Sequence, residues 1–492
     1  MGANCSDLKL TQNAICNIHQ CTDNVSGRNA NSASPTDIYF IDIDPNTTYG
    51  GEKIPQNLVL KIFIDPSLPG NPLYLPNIGT FEGSKEMLYE SEIYEHVVGP
   101  MMEFNFNPHF VKYYGRARNC TGINIGNIWL NKPPYNMNNN DIINSMVRNT
   151  YYMGKGMSRR PAFNDTTIPF PGQQLEFDWL LNNINNNTIK YTMICTQRAA
   201  GVSLNDWLAN NHTNNGPLNI NTWILLIQLV SGLVALEPFE CSHNDLHFGN
   251  IMVVTKPNNI TRHYLYNDVK QDRHYGIKTN LELQHYDWDR GYVKKLGPNP
   301  LLVGDLTNNL CLKGNNCNRY IPQSDLLKAV MQIYNIVDSA TKTILLDMIA
   351  PTNRSKEFFI NRLMNGPDWF FFQVIDNTHP NGRVMSNREL KMFNNPSVFL
   401  TKLLYHVMRS NIHNNMVFPV DSGVPIQPNV EQYDFRKQHI LRTIAKGPSL
   451  GDCTTNNDCT EATNCIQNKC RHGYTSRSYK EFREDNSEMK DE

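Results

Sequence analysis

Ser242-His243-Asn244-Asp245-Leu246-His247-Phe248-Gly249-Asn250-Ile251-Met252-Val253 is the stretch that decides how this chain reads. A His stands two residues ahead of an Asp, and an Asn stands five residues beyond that Asp. The apolar run Trp223–Leu236 before it has helical character, and Ile251-Met252-Val253 after it reads as a short buried strand. The plain alternative is a polar turn between a helix and a strand. Working outward, Tyr286-Asp287-Trp288-Asp289 follows the strand-like Lys278–Leu283. Upstream, Leu58-Val59-Leu60-Lys61-Ile62 places a lysine in an apolar strand, and Tyr89-Glu90-Ser91-Glu92-Ile93-Tyr94 places acids on a helix between Ser84 and Val98.

These four pieces, in this order, resemble the protein-kinase-like superfamily. The first is similar to H-x-D-L-x-x-x-N, the second to D-F-G written as D-W-D, and the third to the V-A-I-K strand. The resemblance implies ATP and Mg2+ as cofactors. Asp245 would take the proton of an attacking hydroxyl, Asn250 and Asp287 would hold Mg2+, and Lys61 would contact the nucleotide phosphates. One helix glutamate would pair with Lys61. Glu90 is preferred, because Ile93 and Tyr94 then share its face at i+3 and i+4, and Glu92 is the alternate. Tyr191–Thr196 reads as a further strand, and Thr196, Gln197 and Arg198 resemble the hinge that cradles adenine. Asp325 in Pro322-Gln323-Ser324-Asp325 resembles the aspartate that braces the catalytic loop; the alternative is a charge favoured at a helix N-terminus.

The departures from the family are specific. No G-x-G-x-x-G precedes Lys61, and the candidate phosphate loop is Val25–Ala33, with Gly27 its one glycine. Asn244 stands where the family has Arg, so control through a phosphorylated activation loop is not expected. No A-P-E follows Asp287, and Lys256–Asn280 reads as an inserted hairpin.

The implied fold is α+β and bilobal, with a small strand-rich N-lobe carrying one helix, a larger mainly helical C-lobe and a cleft between them. Strands are expected at Asp37–Ile43, Asn57–Ile64 and Phe110–Tyr114, and helices at Trp223–Leu236, Gln323–Val337 and Asn395–Met408. The divisions are 1–24, an acylated segment; 25–200, the N-lobe, with an Asn-rich insertion over 119–187; 201–445, the C-lobe; and 446–492, a Cys-rich module with a charged tail. Across 492 residues, 45 Lys+Arg balance 46 Asp+Glu, so the chain lacks the basic footprint of a nucleic-acid binder. Trp223–Leu236 is too short for a bilayer span and reads as a buried core helix.

Met1-Gly2-Ala3-Asn4-Cys5-Ser6 fits N-myristoylation at Gly2, and palmitoylation of Cys5 would supply the second anchor that stable tethering needs. Cys453, Cys459, Cys465 and Cys470 form either a two-disulfide knob or free thiols on a flexible tail, and disulfides would fit a particle that is later oxidised. Cys16, His19 and Cys21 lack a fourth ligand at zinc spacing. His109, His285 and His413 read as structural or exposed. Together the motifs, the Asn-rich insertions and the acylation signal are similar to serine/threonine kinases of large cytoplasmic DNA viruses, the iridoviruses in particular. That resemblance implies an enzyme of the host cytoplasm, membrane-associated through its lipid and incorporated in virions, with ATP, a protein substrate and virion components as partners. A kinase-shaped scaffold with little turnover and a small-molecule kinase are the alternatives.

Overall fold

The computed structural model describes residues 25–28, 37–42, 48–49, 52–53, 57–64, 89–103, 107–120, 191–199, 201–267, 272–297, 299, 320–364, 387–410, 416–419, 463–466 and 469–472. Gly2, Cys5, Cys16, His19, Cys21, residues 29–33 of the phosphate-loop candidate, 121–187 of the Asn-rich stretch, Cys311, Cys317, His413, Cys453 and Cys459 lie outside the described residues. Cys465 and Cys470 stand opposite each other in a two-stranded antiparallel ladder.

The chain is α+β. Its first part is an antiparallel sheet of β1 (Val25–Arg28), β2 (Asp37–Asp42), β3 (Asn57–Ile64), β4 (Tyr113–Cys120) and β5 (Tyr191–Gln197), in the spatial order β1-β2-β3-β5-β4. Gly27 therefore lies in a strand, paired with Phe40. Along β3, Leu58 and Leu60 share one face and are fully buried, while Lys61 takes the other face by strand alternation.

Two expectations shift in this half. The run Phe110–Tyr114 is divided: Tyr113 begins β4, whereas residues 109–111 are tied elsewhere, with Val111 N–H donating to the His285 carbonyl and His285 N–H to the His109 carbonyl. Alternation alone cannot tell one long strand from two short pairings with different partners. The helix, α1, covers 89–103 and so runs past Val98, where the sequence-based range ends. It continues because Tyr94–Val98 opens into a π turn, with Gly99 N–H donating to the Tyr94 carbonyl five residues back. The wider turn accommodates Pro100, which has no N–H to give. A Cβ on residue 99 would lie 2.7 Å from the Tyr94 carbonyl oxygen, so glycine is required there.

The second half is built on α2 (Leu204–Asn211), α3 (Ile220–Leu236), α4 (Pro322–Ile336), α5 (Ser339–Ile349), α6 (Asn353–Phe358), α7 (Asn387–Leu390) and α8 (Pro396–Arg409). Caps set their starts. The side chains of Asn219, Asp338 and Asn395 accept from the backbone N–H of Thr222, Thr341 and Val398, and Pro322 and Pro396 occupy first-turn positions that need no N–H.

Helix α3 packs against α8, α4 and the strand β9 (Asp272–His285). Gln228, Ser231 and Gly232 interrupt its apolar run at i, i+3 and i+4, so they share one face, and that face meets β9. The Gln228 amide donates to the Leu281 carbonyl at 2.9 Å and accepts from Leu283 N–H at 2.8 Å. The Ser231 and Tyr275 hydroxyls are 2.5 Å apart, and a Cβ on Gly232 would come within 2.6 Å of the His285 ring. Together with its 3-10 extension the helix spans Ile220–Phe239, 20 residues, long and apolar enough to cross a bilayer. That corrects the sequence-based length, which omitted both ends. It nevertheless fills the core, where each fully buried Leu or Ile contributes about 1.5–3 kcal/mol.

The strands here are β6 (Val202–Ser203), β7 (Cys241–Ser242), β8 (Ile251–Asn267), β9, β10 (Tyr292–Val293) and β11 (Val417–Pro419), with sheet order β11-β9-β8-β6 and a separate β10-β7 pair. The hairpin is longer than Lys256–Asn280. Its ladder runs from Ile251 opposite His285 to Asn267 opposite Asp272, slipping between Thr255 and Ile260.

Glu237, just after α3, accepts from the Ser397 hydroxyl and, at 3.4 Å, from Ser397 N–H at the start of α8. Burial, only partly offset by those bonds, pushes its carboxyl up to about 7. A raised carboxyl contributes stability that is fully present below its unfolded value near 4.5 and is lost as pH climbs through about 7. Glu237→Gln should therefore shrink the fall in melting temperature between pH 5 and pH 8.5, by the equivalent of roughly 1–3 kcal/mol. Thermal melts of the two proteins across that range check it.

Candidate active site

The register of the β8/β9 hairpin explains how residues far apart in sequence meet. Ile251 pairs with His285, so Asn250, one residue before, and Tyr286-Asp287, just after, emerge side by side. Tyr286 N–H donates to the Asn250 carbonyl at 3.3 Å, the Tyr286 hydroxyl donates to the Gly249 carbonyl, and His243 Nε2 lies 2.9 Å from the Tyr286 carbonyl. The Asn250 amide nitrogen donates to the Asp245 carbonyl at 3.0 Å, which leaves the amide oxygen as the atom able to ligate.

Lys61 reaches this turn from β3. Its Nζ is 2.6 Å from Glu90 Oε1 and 2.6 Å from Asp287 Oδ1. Glu90, not Glu92, is thus the partner. Glu92 is engaged by Arg116 and, at 2.8 Å, by His96. Burial alone would lower the Lys61 ammonium, but Asp287 and Glu90 outweigh it and push it well above its ordinary value. Burial likewise opposes ionisation of Asp287, yet Lys61 holds that carboxyl below its ordinary range. Glu90 is the most enclosed of the three, and burial raises it against the pull of Lys61.

The D-W-D segment is tightly determined. Asp287 has φ of 68°, a left-handed conformation uncommon outside glycine that Asp tolerates better than most residues. Trp288 N–H donates to Glu90 Oε1 at 3.3 Å, and its indole is fully buried, 4.5 Å from the His243 ring and 5.9 Å from the Phe110 ring. Asp289 has a buried Oδ1 with no hydrogen-bond partner, and burial and the adjacent Asp287 charge push its carboxyl up to about 8.

The turn Ser242–Asn250 is pinned from below by α4. Asp325 Oδ2 accepts from His243 N–H at 2.7 Å and Oδ1 from Asn244 N–H at 2.9 Å, Lys328 Nζ donates to the Asn244 carbonyl, and the Gln332 amide bridges Phe248 N–H and the Leu246 carbonyl. Both readings of Asp325 apply, since it lies in the first turn of α4 and also holds the loop. Asp245 Oδ1 is 3.2 Å from Arg290 Nη1, and its Oδ2 is 4.0 Å from His247 Nε2. Sequence reasoning missed Arg290, although its place directly after D-W-D marked it. A cavity of about 590 Å3 between α2 and α4 has His247 and Phe248 of the turn in its wall.

The hinge candidates form the end of β5. Thr196 lies between Val59 and Tyr113, and Gln197 N–H is spent on the Lys112 carbonyl at 2.8 Å, so Gln197 N–H is not free for a base. Arg198 follows the strand. Among the described residues no group of three or more His, Cys, Asp or Glu forms a metal cluster. The donors present are Asn250 and Asp287. Such a set fits Mg2+, which takes one or two carboxylates and completes its shell with waters and phosphates.

Asp325→Ala should strip two buried backbone N–H groups of their acceptor and cost roughly 2–4 kcal/mol. Urea denaturation would register that loss as a lower midpoint at unchanged slope.

No family model matches the chain, and no curated protein matches it. Among solved structures, a crystal structure of a Plasmodium kinase domain is similar over 55% of this chain and 51% of that one, at 11% identity and a TM-score of 0.25. The chain thus spans about half the length of that structure. The pseudokinase PEAK1 (Sugen kinase 269) is similar over 92% of this chain and 84% of that one, at 11% identity and a TM-score of 0.28.

Proposed function

We propose that this chain is an ATP- and Mg2+-dependent phosphotransferase acting on a hydroxyl acceptor, most simply Ser or Thr of a protein. The observation that carries the reading is the convergence on Lys61: its ammonium, from β3, is 2.6 Å from both the helix glutamate Glu90 and Asp287, and Asp287 adjoins the Asp245–Asn250 turn. A strand lysine, a helix glutamate and a D-W-D aspartate brought together from three elements form the set that phosphoryl transfer uses.

In this reading Lys61, held in place by Glu90, binds the α- and β-phosphates. Asn250 and Asp287 would hold Mg2+. Magnesium supplies charge neutralisation on the phosphates when bound. Asp245 accepts the proton of the acceptor hydroxyl as that oxygen attacks. Positioning and fixed charge would account for the rate, with no covalent enzyme intermediate required. Phosphate and metal would compete with the direct Lys61–Asp287 pair.

A second reading is a kinase-shaped scaffold with little turnover. What favours it is that Asp287 and Asp245 are both already paired with cations of the chain itself, Lys61 and Arg290.

Binding comes first among the tests. Mg-ATP at a hundredfold excess over its Kd should add about 2.7 kcal/mol of stability, visible as a rise in melting temperature of several degrees. Lys61→Met should remove that rise, and a wild type that shows none at millimolar Mg-ATP would sink both the site and the activity. Asp245→Asn should keep the rise while lowering phosphate transfer from labelled ATP by roughly 10²–10⁴-fold. Nucleotide binding without any transfer in the wild type would favour the scaffold.

A further inference from the structure

We infer that Arg290 is a positioning residue for Asp245, and that with Asn244 it forms a latch between the catalytic turn and the segment after D-W-D. This rests on the phosphotransferase reading and adds to it the means by which the base is oriented. The cation beside Asp245 is Arg290, whose Nη1 is 3.2 Å from Asp245 Oδ1.

The backbone of Arg290 is held by the turn that its side chain serves. Asn244 Nδ2 donates to the Arg290 carbonyl at 3.0 Å. Asn244 itself is fixed on three sides: its N–H by Asp325 at 2.9 Å, its carbonyl by Lys328, and its backbone in a left-handed conformation at φ of 61°, which Asn adopts more readily than most residues. Further along, Asn299 Nδ2 donates to the Asp289 and Gly291 carbonyls at 2.9 and 2.7 Å, bracketing Arg290. The guanidinium thus projects from a backbone anchored at both ends.

The geometry divides the labour of the carboxylate. Arg290 pairs with Oδ1, and Oδ2, 4.0 Å from His247 Nε2, is the oxygen that would meet an acceptor hydroxyl. Holding one oxygen fixes the rotation of the other, so a hydroxyl meets it along one direction.

The test compares wild type, Arg290→Ala and Arg290→Lys, with casein and histone as acceptors and labelled ATP. Arg290→Ala should lower kcat roughly 10- to 100-fold, the scale of a misplaced reacting group, while KM for ATP and the Mg-ATP rise in melting temperature stay as in wild type. Arg290→Lys should recover part of kcat. Asn244→Ala should lower kcat in the same direction, because it frees the backbone that carries the guanidinium. An active wild type whose Arg290→Ala variant keeps full kcat, or a lysine variant no better than alanine, overturns the latch and leaves the phosphotransferase reading standing. Loss of the Mg-ATP rise in Arg290→Ala also overturns it, since the residue would then serve the nucleotide. A wild type with no transfer to either acceptor removes the basis of both.

Discussion

The ammonium of Lys61 is the point on which the two halves of this molecule close. One oxygen comes from Glu90 on α1 and one from Asp287 after β9, each at 2.6 Å. A buried lysine without partners would neutralise or force its way to water. With two carboxylates it stays charged, and in doing so it fixes the distance between the sheet, its helix and the hairpin end. Removing either acid would leave a buried charge half compensated, an arrangement that typically costs several kcal/mol. The pairing therefore constrains structure and chemistry at once.

Around that point the supports are layered. The hairpin register sets Asn250 beside Tyr286, Asp325 and Gln332 of α4 hold the turn by its backbone, and the polar face of α3 holds β9 through Gln228 and Ser231. Trp288, enclosed between Phe110 and His243, joins the segment after β9 to the stretch that leads into β4. These are rigid elements, and a site placed on them keeps its geometry without help from flexible loops. The same layering accounts for His109, which is buried, shares hydrogen bonds with Tyr264 and the Leu283 carbonyl, and is pushed by burial down to about 3. It is a structural histidine.

Several features were legible because they depend on local pattern. The alternation Leu58-Val59-Leu60-Lys61 marks β3, and the face shared by Glu90, Ile93 and Tyr94 selects the lysine's partner. Where pattern misled, the reason was non-local. The helix expected over Ser84–Val98 runs on through a π turn to Glu103, and Phe110–Tyr114 reads as one strand although its first residues bridge to His285.

The sequence by itself determined the residue types and their order: a lysine in an apolar strand, a glutamate on the next helix, His243, Asp245 and Asn250 at fixed intervals, and D-W-D beyond. Those follow from short-range spacing, which the chain carries in one dimension. Tertiary structure alone decided that Lys61 meets Asp287, that Gln197 N–H is already spent on Lys112, and that Arg290 lies beside Asp245. Such pairings depend on hairpin register and on how one element lies over another, and no local propensity encodes either.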